Sequence, residues 1–190
     1  MIIVGDVHGC FKELQELMQF LPQTKDICFV GDLIDRGPDS NKVLEFVRDN
    51  GYLSVMGNHE DMIDDYNLWF SNGGWATVKS FGGLDEFKGS GFIDWMYSLP
   101  ISIRYKDFLI SHSYAWAGDD TPVEDLLWGR IFKSKPEGDF VNIFGHTPFK
   151  KPLQVHGKHW CIDTGCFLSG ILTALDLDTM TFYNNKGDIF

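Results

Sequence analysis

Ile2-Ile3-Val4-Gly5-Asp6-Val7-His8-Gly9 opens the chain with a short apolar run, a glycine, and then side chains of metal-ligand type. The design recurs twice. Ile27-Cys28-Phe29-Val30 leads into Gly31-Asp32-Leu33-Ile34-Asp35-Arg36-Gly37, and Leu53-Ser54-Val55-Met56 into Gly57-Asn58-His59-Glu60. Each apolar run has the length of a buried strand. Open α/β sheets bind ligands beyond the carboxyl ends of their strands. Three neighbouring strands would then deliver Asp6, His8, Asp32, Asn58 and His59 to one crevice. Carboxylate, carboxamide and imidazole together suit a divalent metal. Asp6 and His8 stand two apart, so on an extended strand both would face the same side.

Working outward, the first half reads β-α-β-α-β. Phe11, Leu14, Leu17, Met18 and Leu21 fall at helical spacing up to Pro22, and Val43, Leu44, Phe46 and Val47 form a second apolar face between Pro38-Asp39-Ser40 and Asn50-Gly51. Such units imply a parallel sheet with right-handed crossovers. The segment at about 61–98 is rich in Trp, Gly and Asp and reads as a helical cap in pieces, with Trp69, Trp75 and Trp95 in its core. The second half is strand-rich: Ile101–Tyr105, Phe108–Ser111 after a break at Lys106-Asp107, Val141–Phe144, His159–Ile162, Ile171–Leu177 and Thr181–Tyr183. The fold class expected is α/β, two mixed β-sheets packed together with helices outside, and residues 1–190 are expected to form one domain.

Bulk properties narrow the function. Net charge is −11 and only four arginines are present, which argues against a nucleic-acid binder held by phosphate contacts. Arg36 and Arg130 are two of the four. An acidic protein draws an anionic phosphate only where something local reverses the field, and bound cations do that. No apolar stretch approaches the roughly 18 residues of a membrane span. No basic leader precedes Asp6, and Cys10, Cys28, Cys161 and Cys166 show no C-x-x-C spacing, so a cytoplasmic protein with reduced thiols is expected.

Two later strand ends extend the pattern. Phe108-Leu109-Ile110-Ser111 leads into His112, and Val141-Asn142-Ile143-Phe144 into Gly145-His146-Thr147-Pro148. Any one of these motifs alone is ambiguous, since Gly-Asp at a strand end is often turn chemistry. Taken in order, they resemble the calcineurin-like metallophosphoesterases, and more narrowly the phosphoprotein phosphatase branch. Leu127-Trp128-Gly129-Arg130 and Cys161-Ile162-Asp163-Thr164-Gly165 are most similar to segments of the small bacteriophage and bacterial serine/threonine phosphatases, then of the diadenosine tetraphosphate hydrolases.

The resemblance implies an α/β/β/α sandwich and two divalent metal ions, with Mn²⁺ preferred and Fe²⁺ or Zn²⁺ as alternatives. It assigns Asp6, His8 and Asp32 to one ion, and a bridging Asp32 with Asn58, His112 and His146 to the other. It implies direct attack of a metal-bridging hydroxide on phosphorus, with His59 as general acid oriented by Asp35. Arg36 and Arg130 would grip the phosphate oxygens with forked donors. The substrate would be a phosphorylated protein or a small phosphoester. A dinucleoside polyphosphate hydrolase and a non-catalytic scaffold on the same fold are the alternatives. Asp163 is expected to be structural or to back a histidine ligand, and His156 and His159 to be solvated. Ser113-Tyr114-Ala115-Trp116 departs from the family pattern. This loop lines the pocket in relatives, so with bulky Tyr114 and Trp116 here the resemblance leaves substrate choice open.

Overall fold

Alternation along very short strands sets the architecture. The computed structural model describes residues 1–24, 26–130 and 138–190. In β1 (Ile2–Val4) every side chain is buried, because both faces of the strand are covered. Ile2 and Val4 face α1 (Phe11–Met18) and α2 (Ser40–Asp49), in a cluster with Leu14, Leu17, Val43 and Val47. Ile3 points the other way, into a cluster that lies between two sheets. In β2 (Ile27–Phe29), Ile27 and Phe29 likewise face the helices, and Cys28 faces inward. β3 (Leu53–Ser54) completes the parallel run β1-β2-β3.

After a single turn, α3 (Asn58–Asp61), come the pieces of the middle segment: α4 (Tyr66–Ser71), α5 (Gly74–Ser80), α6 (Leu84–Gly89) and α7 (Phe92–Tyr97). Trp69, Val78, Phe87, Phe92 and Met96 pack into the same cluster as α1 and α2. Trp69 is fully buried and Trp95 partly so, but Trp75 is 60% exposed, stacked on Phe70, so the expected core role fails for that one ring.

The second sheet is built from β4 (Ser102–Tyr105), β5 (Phe108–Ser111), β6 (Val141–Phe144), β7 (Leu153–Val155) and β8 (His159–Cys161), with α8 (Val123–Trp128) between β5 and β6. Its strand order is β4-β5-β6-β8-β7. After α9 (Cys166–Ser169), β9 (Thr173–Asp176) and β10 (Thr181–Asn184) return to the first sheet, ordered β10-β9-β1-β2-β3. Both sheets are mixed: β9 runs antiparallel to β1, whereas β5, β6 and β8 are parallel to one another.

Between the sheets, Ile3, Ile110, Ile143 and Ile162 are fully buried. Each contributes about 1.5–3 kcal/mol by leaving water. That outweighs an exposed ion pair such as Arg104–Asp119, worth about 0–1 kcal/mol. The strand ends of the two sheets are thereby fixed against each other. No described helix is long and apolar enough to cross a membrane.

One expectation fails here for a clear reason. His159 is not solvated: it lies in β8, fully buried, with Nδ1 accepting the Asn142 N–H at 2.9 Å. Burial pushes its imidazole down to about 4, so it is neutral. The rings of Tyr114 and Phe140 pack on it at 5.5 and 5.4 Å, contacts from distant segments that alternation in β8 does not reveal. His156, in the turn, is exposed as expected.

Candidate functional site

Five loops, after β1, β2, β3, β5 and β6, carry the site, and their backbones are bent rather than extended. Five of the eight described non-glycine residues at positive φ are site candidates: His8 (49°), Asp32 (51°), Asp35 (71°), Arg36 (66°) and His146 (68°). Such conformations cost of order 1–3 kcal/mol each and persist only where the surroundings over-determine them. β1 ends at Val4, so Asp6 and His8 do not share a strand face as the sequence suggested. A left-handed turn at His8 aims the imidazole instead.

What over-determines these loops is largely Glu60. Its buried carboxylate accepts N–H groups of Asp32 (2.9 Å), Leu33 (2.9 Å), Ile34 (3.4 Å) and Gly57 (2.9 Å), tying the second loop to the third. Close approach explains two glycines. A Cβ on Gly57 would strike Asp32, and one on Gly145 would strike the Asp6 carboxylate.

The ligand-type atoms converge. His8 Nε2 lies 3.3 Å from Asp32 Oδ2, and His112 Nε2 lies 3.5 Å from Asp32 Oδ1. His112 Nε2 is also 2.9 Å from Asn58 Oδ1 and 3.1 Å from His146 Nδ1, and these last two atoms are 3.0 Å apart. Asp6 accepts the His146 N–H at 3.0 Å. Two compact donor groups result, His8–Asp32–His59 and Asp6–Asp32–His112, and Asp32 belongs to both. Asp32 thus stands among Asp6, His8 and His112, a position from which one carboxylate can serve two ions.

Backbone carbonyls, not carboxylates, orient two of the histidines. His8 Nδ1 is 2.9 Å from Ile34 O, and His112 Nδ1 is 2.8 Å from Val30 O, which fixes each as the donor and leaves Nε2 as a lone pair facing the site. Asp163 serves neither. It accepts the Gly165 N–H at 2.7 Å, and burial, with help from the Asp32 charge, pushes it up to about 7.

The electrostatics suit cation binding. Burial pushes His8 and His146 each down to about 3 and lowers His112, so all three are neutral imidazoles, the form that ligates metal. Burial and the charges of Asp163 and Asp32 raise Asp6. Burial also acts on Asp32, but the charge held on His59 and the His59 N–H that Asp32 Oδ1 accepts offset it and hold that carboxyl below its usual range. Acidic groups and lone pairs crowded this closely need positive charge among them. In the structure the Arg36 guanidinium supplies some of it, with Nη1 only 2.7 Å from His8 Nε2. A cation already stands beside the lone pair that a metal would take, and the donor set fits two divalent ions.

His59 differs from the other histidines. Its Nδ1 is 2.7 Å from Asp35 Oδ2, and its buried Nε2 has no hydrogen-bond partner among the described residues. Burial lowers its imidazole, but Asp32 and Asp35 more than compensate and hold it above its ordinary value. Asp35 also accepts bonds from Trp69 Nε1 (2.9 Å) and Thr77 Oγ1 (2.6 Å). Sequence reading missed Thr77 and saw Trp69 only as core; both come from the middle helices, at no motif spacing. It also missed Phe167, whose ring lies 5.1 Å from that of His8 and 4.4 Å from the Arg36 guanidinium carbon.

Arg130 stands at the rim, exposed, with Nη1 3.3 Å from Thr147 Oγ1. Its charge helps to lower His146. Tyr114 does not line this site. It is buried against Phe144, Val155 and Cys161 on the far face of the second sheet, and Trp116 packs with it while donating to Asp125 at 3.1 Å.

Comparison with known proteins agrees with this geometry. The profile of the calcineurin-like phosphoesterases matches residues 1–181. Serine/threonine-protein phosphatase 1 of Salmonella typhimurium is 32% identical over 90% of this chain and 88% of its own. The asymmetrical bis(5'-nucleosyl)-tetraphosphatase PrpE of Anoxybacillus flavithermus is 30% identical over 91% of this chain and 88% of its own. A cold-active protein tyrosine phosphatase shares the fold, with a TM-score of 0.71 at 20% identity, over 100% of this chain and 77% of its own. Fold and site together define a metal-dependent phosphoester hydrolase class. The chain belongs to the calcineurin-like phosphoesterase family, whose members use divalent metals.

Proposed function

We propose that this chain is a binuclear metal-dependent phosphomonoesterase, acting on phosphoserine and phosphothreonine in proteins. The observation that carries the reading is the His59–Asp35 pair: Nδ1 lies 2.7 Å from the Asp35 carboxylate, which with Asp32 raises the imidazole, and the buried Nε2 has no hydrogen-bond partner among the described residues. A pure metal-binding scaffold needs no such proton donor.

Asp6, His8 and Asp32 would hold one ion, and Asp32, Asn58, His112 and His146 the other. Mn²⁺ is preferred, with Fe²⁺ or Zn²⁺ as alternatives, because the mixed donor set accepts all three and availability selects among them. When bound, the ions supply the charge that activates a water and neutralises the phosphoryl oxygens.

The side chains do the rest. His59 Nε2–H donates its proton to the leaving alkoxide. Asp35 keeps the imidazole charged and aimed, and is itself held by Trp69 and Thr77. Arg36 gives up its contact with His8 and turns its fork to the phosphate, steadied by the Phe167 ring. Arg130 closes on the same group from the rim. The chain acts as one catalytic unit over 1–190, with the helices at about 61–98 as a cap that carries Trp69 and Thr77. The four free cysteines suit a reducing, cytoplasmic setting.

The likeness to the Salmonella phosphatase supports the phosphoprotein reading, and the comparable likeness to PrpE favours a second one, hydrolysis of a dinucleoside polyphosphate. Parallel measurements of kcat/KM on a phosphoserine peptide and on diadenosine tetraphosphate separate the two. The proposal predicts the peptide to be the better substrate; the reverse order would overturn it in favour of the nucleotide.

A further inference from the structure

Beside the hard-donor centre lies a second donor group with different chemistry. Cys10 directly follows the Asp6–Gly9 loop, Glu13 sits one turn into α1, and Cys166 opens α9, 156 residues further along the chain than Cys10. Their sulfur and carboxylate atoms all lie within 4.8 Å of one another. Both thiols are nearly fully buried, at 7% and 2% exposed. They do not come together by chance of sequence: α9 is brought to the start of α1 by the return of the chain to the first sheet through β9.

Several facts point to a ligand. Glu13 pairs with no basic side chain among the described residues; the neighbouring Lys12 pairs with Glu16 instead. Cys10 stands at the N-cap of α1, yet its side chain caps nothing; its thiol makes a weak 3.6 Å contact with the His8 carbonyl and meets the Cys166 thiol. The three groups line a cavity of about 420 Å³, open to solvent, with Asp39 and Phe167 on its wall. Two thiolates and a carboxylate with one open position match a tetrahedral zinc site. With bonds of about 2.0–2.3 Å, donors on one such ion lie roughly 3.5 Å apart. The 4.8 Å limit within which the three donor atoms already fall exceeds that spacing by only about 1.3 Å.

We propose that Cys10, Glu13 and Cys166 form a soft-donor site for a thiophilic divalent cation such as Zn²⁺, separate from the centre around Asp32. On binding, each thiol releases a proton to solvent, two Zn–S bonds and one Zn–O bond form, and water takes the fourth position; no electron is transferred. The ion would tie the start of α1 to the start of α9. It would thereby fix the residue that precedes Phe167, the ring under Arg36.

The test uses the full chain, kept reduced under argon, loaded with Mn²⁺ and titrated with Co²⁺. Cobalt on thiolate gives a near-ultraviolet charge-transfer band that oxygen and nitrogen ligands do not produce, so the centre around Asp32 is silent in it. The site predicts such a band saturating at one Co²⁺ per chain and displaced by Zn²⁺. Cys166→Ser abolishes it in a chain that still binds its Mn²⁺. Because a variant at buried Cys10 or Cys166 can fail to fold, Glu13→Gln provides a second arm. It keeps the thiols but weakens the cobalt affinity by more than the roughly 10–100-fold that loss of a supporting partner costs. Asp32→Asn retains the band, which separates this proposal from the phosphatase reading. The proposal is overturned by a reduced, folded chain that shows no band, or by a band that survives in folded Cys166→Ser. It is equally overturned by a Cys10–Cys166 disulfide recovered from protein kept under reductant.

Discussion

The two sheets bring their loops to one site under unequal constraint. On the first sheet, Asp32, Asp35, His59 and Glu60 are all at most 2% exposed, and the Glu60 carboxylate stitches two of the loops together through four N–H groups. On the second sheet, only His112 is held as firmly, by the Val30 carbonyl of the opposite sheet. His146 is half-buried, and Arg130 is exposed, with one 3.3 Å side-chain contact among the described residues. The difference teaches where each kind of function can reside. Proton and metal chemistry needs atoms fixed in a dry, low-dielectric setting, which the first sheet provides. The accommodation of different esters tolerates looser parts, and these line the rim of the second.

This contrast can be broken by mutation, and the largest effect is expected at Asp32. Asp32→Asn, in both donor groups, is expected to lose both ions and to reduce hydrolysis of p-nitrophenyl phosphate to background; metal analysis beside the assay checks it. Next comes His59→Asn, expected to lower kcat by about 10²–10⁴-fold, the usual worth of a general acid, with metal content unchanged. Its partner sharpens the point through pH. As the proposed acid His59 would work when protonated, so activity is expected to be full below its pKa and to be lost as pH rises through it. Asp35 is one of the carboxylates that raise that pKa. Asp35→Asn is therefore expected to move the basic limb of kcat/KM to lower pH, and an unmoved limb would mean another group donates the proton.

Glu60→Gln tests rigidity rather than chemistry. A carboxamide presents a donor to at least one of the N–H groups that the carboxylate now accepts. A buried group left unpaired costs about 1–3 kcal/mol, readable as a lower urea midpoint at unchanged slope. The smallest effect falls on the second sheet. Arg130→Ala removes an exposed contact worth about 1 kcal/mol, so KM for a phosphate ester is expected to rise roughly fivefold with kcat unchanged. An Arg130 effect as large as that of His59 would erase the contrast between the sheets.

Most of the site was legible in the sequence because glycine-terminated apolar runs mark strand ends, and the fold places strand ends together. Helices at Phe11–Met18 and Ser40–Asp49, and strands such as Phe108–Ser111 and Val141–Phe144, follow from periodicity of a few residues. The way Asp6 and His8 converge was not legible, since it depends on a left-handed turn rather than on strand alternation. Nor were the supports. Trp69 and Thr77 reach Asp35 across 34 and 42 residues, and Glu60 reaches Leu33 across 27, distances over which local pattern carries no information. The same holds for His159, packed under the rings of Tyr114 and Phe140 from other segments, and for Cys166, which meets Cys10 across 156 residues.

The most direct measurement is an anomalous difference map from crystals of the chain grown with Mn²⁺. The account predicts two peaks per chain that share Asp32, one also touching Asp6 and His8 and the other Asn58, His112 and His146, with His59 Nε2 bound to neither. A single peak, or a peak ligated by His59, would contradict it.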